Sequence, residues 1–249
     1  MKNLGIFYFS STGNSLYIAQ KVIGELGGKI LFIPTYNGDG SEFDNLLIVT
    51  PIYSFGMPIP VLDLLQHFEK GRELIVIQNY GGMKGGADKL FCEYAEKEGL
   101  KVKSIFTLKM PENFTLVMSP PNFYKNAILK SADRRITAIL NDIAVGKFRI
   151  PKKKRTKEHT YLKNKNNWYL IGKRFSVTEN CTKCGKCISL CCAHNISFVD
   201  GEITFGENCM ACLGCFHRCS AKAVIYKNKD NKKRYINPFV DEKLIGKDL

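Results

Sequence analysis

The 249-residue chain reads as an α/β protein, a doubly wound parallel five-stranded sheet followed by a second, small α+β domain. Three observations predict this. In the first 146 residues short aliphatic runs alternate with stretches of helical periodicity, the pattern of strands joined by crossover helices. A Ser/Thr/Gly loop separates the first run from the first periodic stretch. Nine of the ten cysteines lie within 39 residues near the carboxyl end, which marks a module distinct from what precedes it.

The predicted strands are 4–9, 29–33, 46–50, 73–78 and 102–108. The three middle ones show little alternation, as suits burial on both faces. Helices are predicted at 14–26, 59–69, 87–98 and 124–145, the last carrying an inward stripe of Ile128, Leu129, Ile136, Ile139, Leu140 and Ile143. Residues 34–45 are rich in Gly, Asp and Asn and leave too little chain for a full crossover helix.

The loop Ser10-Ser11-Thr12-Gly13-Asn14-Ser15 has the composition of a phosphate cradle. Hydroxyls at Ser10, Thr12 and Ser15, with N–H groups at the helix start, can surround a dianion using neutral donors. Neither Gly-x4-Gly-Lys-Ser/Thr nor Gly-x-Gly-x-x-Gly occurs, which argues against a nucleoside triphosphate or a Rossmann dinucleotide site. A plain capped helix start is the bland alternative. Two more loops at strand ends favour a ligand: Pro51-Ile52-Tyr53-Ser54-Phe55-Gly56, with aromatics able to lie on a flat ring, and Asn79-Tyr80-Gly81-Gly82, where small residues permit close approach.

With its Ser/Thr-x-Thr-Gly-x-Ser loop, the segment from 1 to about 146 resembles the flavodoxins. The resemblance implies strand order 2-1-3-4-5, FMN held by its phosphate at residues 10–15, and the isoalloxazine ring between loops 51–56 and 79–82.

The cysteines form two copies of one pattern, Cys181-x2-Cys184-x2-Cys187-x3-Cys191 and Cys209-x2-Cys212-x2-Cys215-x3-Cys219. Three thiolates at this spacing can curl round one cubane while the fourth serves a neighbour. That assigns one 4Fe-4S cluster to Cys181, Cys184, Cys187 and Cys219, and the other to Cys209, Cys212, Cys215 and Cys191. CTKCGKCISLCCAHNISFV also aligns with CMACLGCFHRCSAKAVIYK at a shift of 28 residues. Residues 176–228 thus resemble a bacterial two-cluster ferredoxin. The family's proline after each fourth cysteine is replaced by Cys192 and Ser220, so the sequence leaves open whether Cys191 or Cys192 is the ligand.

Together the two segments resemble the flavodoxin-ferredoxin fusion proteins of anaerobes, the EFR-type ferredoxin family. The resemblance divides the chain into a flavodoxin-like domain at 1–146, a basic linker at 147–175, the cluster domain at 176–228 and a polar tail at 229–249, expected to be partly disordered. It implies electron transfer between the clusters and FMN and on to redox partner proteins. Two alternatives stay open: a flavin-dependent oxidoreductase with its own small-molecule acceptor, and a ferredoxin with a flavin-free docking domain. No catalytic acid, base or nucleophile constellation is visible, which favours a carrier.

Zinc normally draws on two separated Cys or His pairs for one tetrahedron, which fits these runs poorly. Disulfides need an oxidising compartment. The apolar start is too short for a signal peptide, and no 18-residue apolar run occurs, so a cytoplasmic protein without a transmembrane segment is expected. Of the net charge of +14, residues 151–175 supply more than half, with nine basic residues against one acidic. This bridge, beginning Pro151-Lys-Lys-Lys-Arg155, lacks the aromatic platform of nucleic-acid binders, so no nucleic-acid partner is expected; an acidic redox partner suits the charge, and a merely solvated linker suits it equally. Trp168 is expected to dock the bridge onto a domain. Cys92 reads as a small buried hydrophobe, and His194 and His217 as surface residues.

Overall fold

The computed structural model describes residues 3–117, 119–151, 155–229 and 233–249; Lys152, Lys153 and Lys154 of the basic bridge lie outside the described residues. Five parallel strands, β1 (Leu4–Tyr8), β2 (Lys29–Phe32), β3 (Asn45–Pro51), β4 (Glu73–Tyr80) and β5 (Lys101–Lys109), form one sheet in the order β2-β1-β3-β4-β5. This is the flavodoxin-like arrangement, with its switch point between β1 and β3. Helices α1 (Asn14–Leu26), α2 (Ile59–His67) and α3 (Ala87–Lys97) make crossovers between strands, and α4 (Asn122–Ala144) follows the last strand and packs beside α1. As the composition of 34–45 requires, only one 3-10 turn, Ile33–Thr35, stands between β2 and β3.

Alternation along the strands divides the core into two layers. Ile6, Tyr8, Leu47, Val49, Ile75 and Ile77 pack under α1 and α4, while Phe7, Phe9, Leu46, Ile48, Leu74 and Val76 pack under α2 and α3. Each such side chain taken fully from water contributes roughly 1.5–3 kcal/mol. The strands therefore read as continuous apolar runs because both pleat faces are covered.

The bridge folds as α5 (Glu158–Lys165) and α6 (Tyr169–Gly172). Tyr161 and Trp168 are buried in the α2/α3 layer, which explains an aromatic pair in an otherwise Lys- and Asn-rich segment. The second domain consists of β6 (Phe175–Val177), α7 (Lys186–Ser189), β7 (Ile196–Val199), β8 (Glu202–Phe205), α8 (Gly214–His217) and β9 (Val224–Tyr226). Strand β6 pairs with β9 and β7 with β8, both antiparallel.

The 28-residue repeat is written into this backbone. Left-handed conformations fall at Lys183 and Ala211, Gly185 and Leu213, His194 and Lys222, and Asp200 and Asn228, each pair 28 apart. Both halves thus make the same turns around their cysteines, although only Gly185 among these eight escapes the steric cost of positive φ.

Residues 230–232 of the tail lie outside the described residues, and from residue 233 on the tail is folded onto the domain where partial disorder was expected. Tyr235, Asn237, Val240 and Ile245 are buried, and Val240 and Ile245 join the α1/α4 core. Leu249 exchanges two backbone hydrogen bonds with Ile30, at 2.8 and 2.9 Å, covering the outer edge of β2. Lysines and asparagines dominate the composition before residue 235, but the apolar side chains beyond it recur at the spacing needed to grip the domain. No helix among the described residues is long and apolar enough to cross a membrane.

Candidate functional site

A cavity of about 470 Å³ opens at the carboxyl ends of β3 and β4, within the range of about 300–1,000 Å³ usual for small-molecule sites. Pro51, Ile52, Tyr53, Ser54 and Phe55 form one side and Asn79, Tyr80, Gly81 and Gly82 the other, as the sequence suggested. Of the loop 10–15 only Asn14 reaches the cavity; Ser10, Ser11, Thr12, Gly13 and Ser15 stand behind it, and Gly56 lies outside the lining. Sequence reasoning missed three walls: Pro111–Phe114, the bridge residues Asn164, Asn167, Trp168 and Ile171, and Ala211–Leu213 of the second domain.

The turn after β3 is strained. Tyr53 and Gly56 exchange hydrogen bonds at 3.0 and 2.9 Å around Ser54 and Phe55, which both adopt positive φ, at 51° and 74°. A non-glycine residue held there costs about 1–3 kcal/mol. Packing from the bridge holds the turn in place: a Cβ on Gly56 would stand 2.3 Å from the Tyr161 ring, and the Tyr161 hydroxyl donates to the Met57 carbonyl at 2.8 Å. Trp168 meets Tyr53 edge-on at 6.1 Å between centroids. Across the cavity Gly81 admits the Pro111–Phe114 segment, since a Cβ there would lie 2.6 Å from the Glu112 Cα.

The loop between β1 and α1 is almost fully enclosed. Its hydroxyl oxygens accept from protein donors: Ser10 from the Gly13 N–H at 3.0 Å, Thr12 from Asn113 at 2.9 Å and Ser15 from Asn79 at 2.8 Å. These bonds use oxygen lone pairs, so each O–H still has its proton to donate, and the three residues are buried. The start of α1 adds backbone donors. No side chain caps it, and the N–H groups of Asn14, Ser15 and Leu16 have no hydrogen-bond partner among the described residues. A helix start left in this way offers donors that suit an anion.

The tail closes over the same place. Gly13 has φ +92°, and a Cβ on it would meet Asn237, Ile245 and Val240 at 3.2–3.4 Å. Asn14 Oδ1 accepts from the Tyr235 hydroxyl at 2.7 Å and from Asn237 at 3.1 Å, and the Asn237 N–H donates to the Thr12 carbonyl at 2.8 Å.

Eight cysteines of the repeat line two wells. Cys181, Cys184, Cys187 and Cys219 share one with Val177, Ile203 and Val224. Cys191, Cys209, Cys212 and Cys215 share the other with Ile196, Phe205 and Leu213. The fourth cysteine of each run thus sits with the first three of the other. Cys191, and not Cys192, lines the second well; its sulfur accepts from the Asn195 N–H at 3.3 Å. Cys192 packs against the α2/α3 core, and burial pushes its thiol up to about 12. Burial likewise raises the Cys212 and Cys215 thiols. The exposed Cys184 is held below the usual range, first by the Lys186 backbone N–H. Among the described residues no three Cys, His, Asp or Glu side chains converge closely enough for a single metal ion.

Polar contacts fasten the second domain to the first. The Ser11 hydroxyl donates to the Cys212 carbonyl at 2.7 Å. His217 is buried rather than superficial, correcting the sequence reading: Nε2 donates to the Asn113 carbonyl at 2.7 Å and Nδ1 accepts from the Tyr235 N–H at 3.1 Å. Burial lowers its pKa to about 4, so the neutral ring makes both bonds.

No family model matches the chain, and no curated protein does. Among solved structures it is similar to a flavoprotein from Lactobacillus acidophilus in complex with FMN, at 20% identity over 43% of this chain and 93% of that one, with TM-score 0.37. Two-electron reduced flavodoxin of Megasphaera elsdenii aligns at 21% identity over 42% and 84%, with TM-score 0.38. A flavodoxin from the domain Archaea aligns at 15% over 57% and 99%, with TM-score 0.40.

Proposed function

We propose that this chain is an electron-transfer protein that carries FMN in the cavity and a 4Fe-4S cluster in each cysteine well, and that exchanges electrons with redox partner proteins. The observation that carries the reading is the position of Cys212, whose residue walls both the cavity and the second well. A flavin exchanges one or two electrons and a cluster one, so their adjacency lets pairs be split or pooled.

The residues suit these groups. The unpartnered N–H groups of Asn14, Ser15 and Leu16 offer donors for a phosphate. Tyr53, Phe55 and Tyr80 supply ring faces beside a volume of ordinary ligand size. Each well is lined by four thiols, the donor set of a 4Fe-4S cluster. Backbone N–H groups aimed at the Cys191 and Cys209 sulfurs stabilise thiolate charge there. Ser11 couples the α1 loop to the Cys212 backbone, which fixes one site against the other.

On this reading the protein works in the cytoplasm, where thiols stay reduced, and the basic 151–175 segment attracts acidic partners. Anaerobic reconstitution with iron, sulfide and FMN tests it by stoichiometry. Two clusters and one FMN per chain are expected. Iron without flavin would remove the cavity assignment, and flavin without iron would remove the wells.

A further inference from the structure

The two wells are not equivalent with respect to the cavity. Cys212 and Leu213 line both the cavity and the well of Cys191, Cys209, Cys212 and Cys215. The backbone that carries these two shared residues is tied to the first domain, the Cys212 carbonyl accepting from the Ser11 hydroxyl. Met210 and Ala211 are buried in the same core layer as Trp168, which also lines the cavity, so protein rather than water fills the gap. The well of Cys181, Cys184, Cys187 and Cys219 shares no lining residue with the cavity. Its rim faces solvent, with Thr182, Lys183 and Cys184 exposed.

The geometry points to a fixed order of carriers: external electrons exchange at the Cys184 edge of the outer well, cross to the inner well of Cys209, Cys212 and Cys215, and reach the flavin only from there. The inference rests on the cofactor reading above and adds which cluster does what. Electron tunnelling weakens steeply with distance, so the cluster whose ligand lines the cavity is the flavin's partner, and the cluster with an exposed ligand is the partner protein's. One electron moves per step: the donor protein loses it, the outer cluster gains and then loses it, and the inner cluster passes it on, with no bond made or broken. Lys183 and Lys186 flank the outer rim, held by Glu202 at 2.9 Å and Glu242 at 2.7 Å. The docking partner is therefore a one-electron redox protein that meets a compact, charge-paired rim.

The test uses the reconstituted full chain. Iron and flavin are counted first in the unsubstituted protein; absence of either there bears on the cofactor reading and not on the order. Cys184→Ala and Cys215→Ala are each expected to lose one cluster's iron. Because a neighbouring cluster quenches flavin emission, the fluorescence lifetime of bound FMN should stay short in Cys184→Ala and lengthen several-fold in Cys215→Ala. The opposite pattern, or equal lifetimes, overturns the order. Should Cys215→Ala fail to fold, a soluble gadolinium chelate added to the reduced, unsubstituted protein should broaden the EPR signal of one cluster only. That broadened signal must be the one missing from Cys184→Ala; equal broadening, or survival of the broadened signal, refutes the proposal.

Discussion

Replacing Tyr8 with phenylalanine removes one oxygen and should loosen the tail that covers the α1 loop. The Tyr8 hydroxyl accepts from the N–H groups of Gly246 and Lys247 at 2.9 and 3.1 Å, and lies 3.0 and 3.2 Å from the Lys247 and Leu244 carbonyls. The ring itself is kept, so no cavity opens. Stranding buried partners costs about 1–3 kcal/mol, and Lys247, being exposed, recovers part of its bond from water. A net loss of about 2 kcal/mol is expected, which multiplies the open-tail population by roughly 30 if the loss is local. Hydrogen exchange at the Ile30 and Leu249 amides, which pair across this junction, should accelerate by that order. FMN release, read by returning flavin fluorescence, should accelerate with it, because Asn237 and Val240 cover Gly13. The same hydroxyl sets an alkaline limit. Burial raises its pKa from 10.0 to about 12, so the folded state keeps a proton that the unfolded state sheds. The stabilisation is whole below pH 10 and falls by roughly 3 kcal/mol as pH rises to 12; Tyr8→Phe should flatten that slope. Unchanged exchange at Ile30 and Leu249 in the variant would refute the tail's role as a clasp.

Cys192→Ala should keep both clusters, and Cys191→Ala should lose one, as counted by iron and EPR; the reverse would move the ligand by one residue. Gly56→Ala drives a Cβ into the Tyr161 ring and should cost about 1–3 kcal/mol while weakening FMN binding, with partial rescue of the thermal midpoint when Tyr161 is also changed to leucine. Glu112→Gln removes a negative charge from the cavity wall. Reduced flavin should then form more readily, by about 1–2 kcal/mol at surface-like dielectric, or on the order of 40–90 mV for one electron, seen as a rise in midpoint potential.

Much of this architecture was legible in the sequence because each sheet face is buried, which forces unbroken aliphatic runs that periodicity detects. Strand ends were less legible. β4 runs on through Asn79 and Tyr80, whose polar and aromatic side chains serve the cavity rim rather than the core, so hydrophobicity stops before the hydrogen bonds do. The cysteine spacing foretold which four side chains share each well, since a repeat folded about a pseudo-twofold must exchange its fourth residues. It did not separate Cys191 from Cys192; in the structure Cys191 lines the well and Cys192 packs against the neighbouring core. The α1 loop stands between β1 and α1 as the sequence indicates, but its hydroxyl oxygens also accept from Asn79, Asn113 and Gly13, partners scattered along the chain that no local pattern reveals. Tyr235, Asn237, Val240 and Ile245 were hidden by the lysine-rich approach to them. Their spacing, and a lone tryptophan in the bridge, were the signals that these segments fold onto the domain.

The most direct test of the central claim is an anaerobic redox titration of the reconstituted full chain, followed together by absorbance and EPR. The account predicts two cluster signals that interact magnetically, and a flavin absorbance that bleaches in the same molecule with one FMN per chain. A titration that shows a single cluster, or iron centres with no flavin transition, would contradict it.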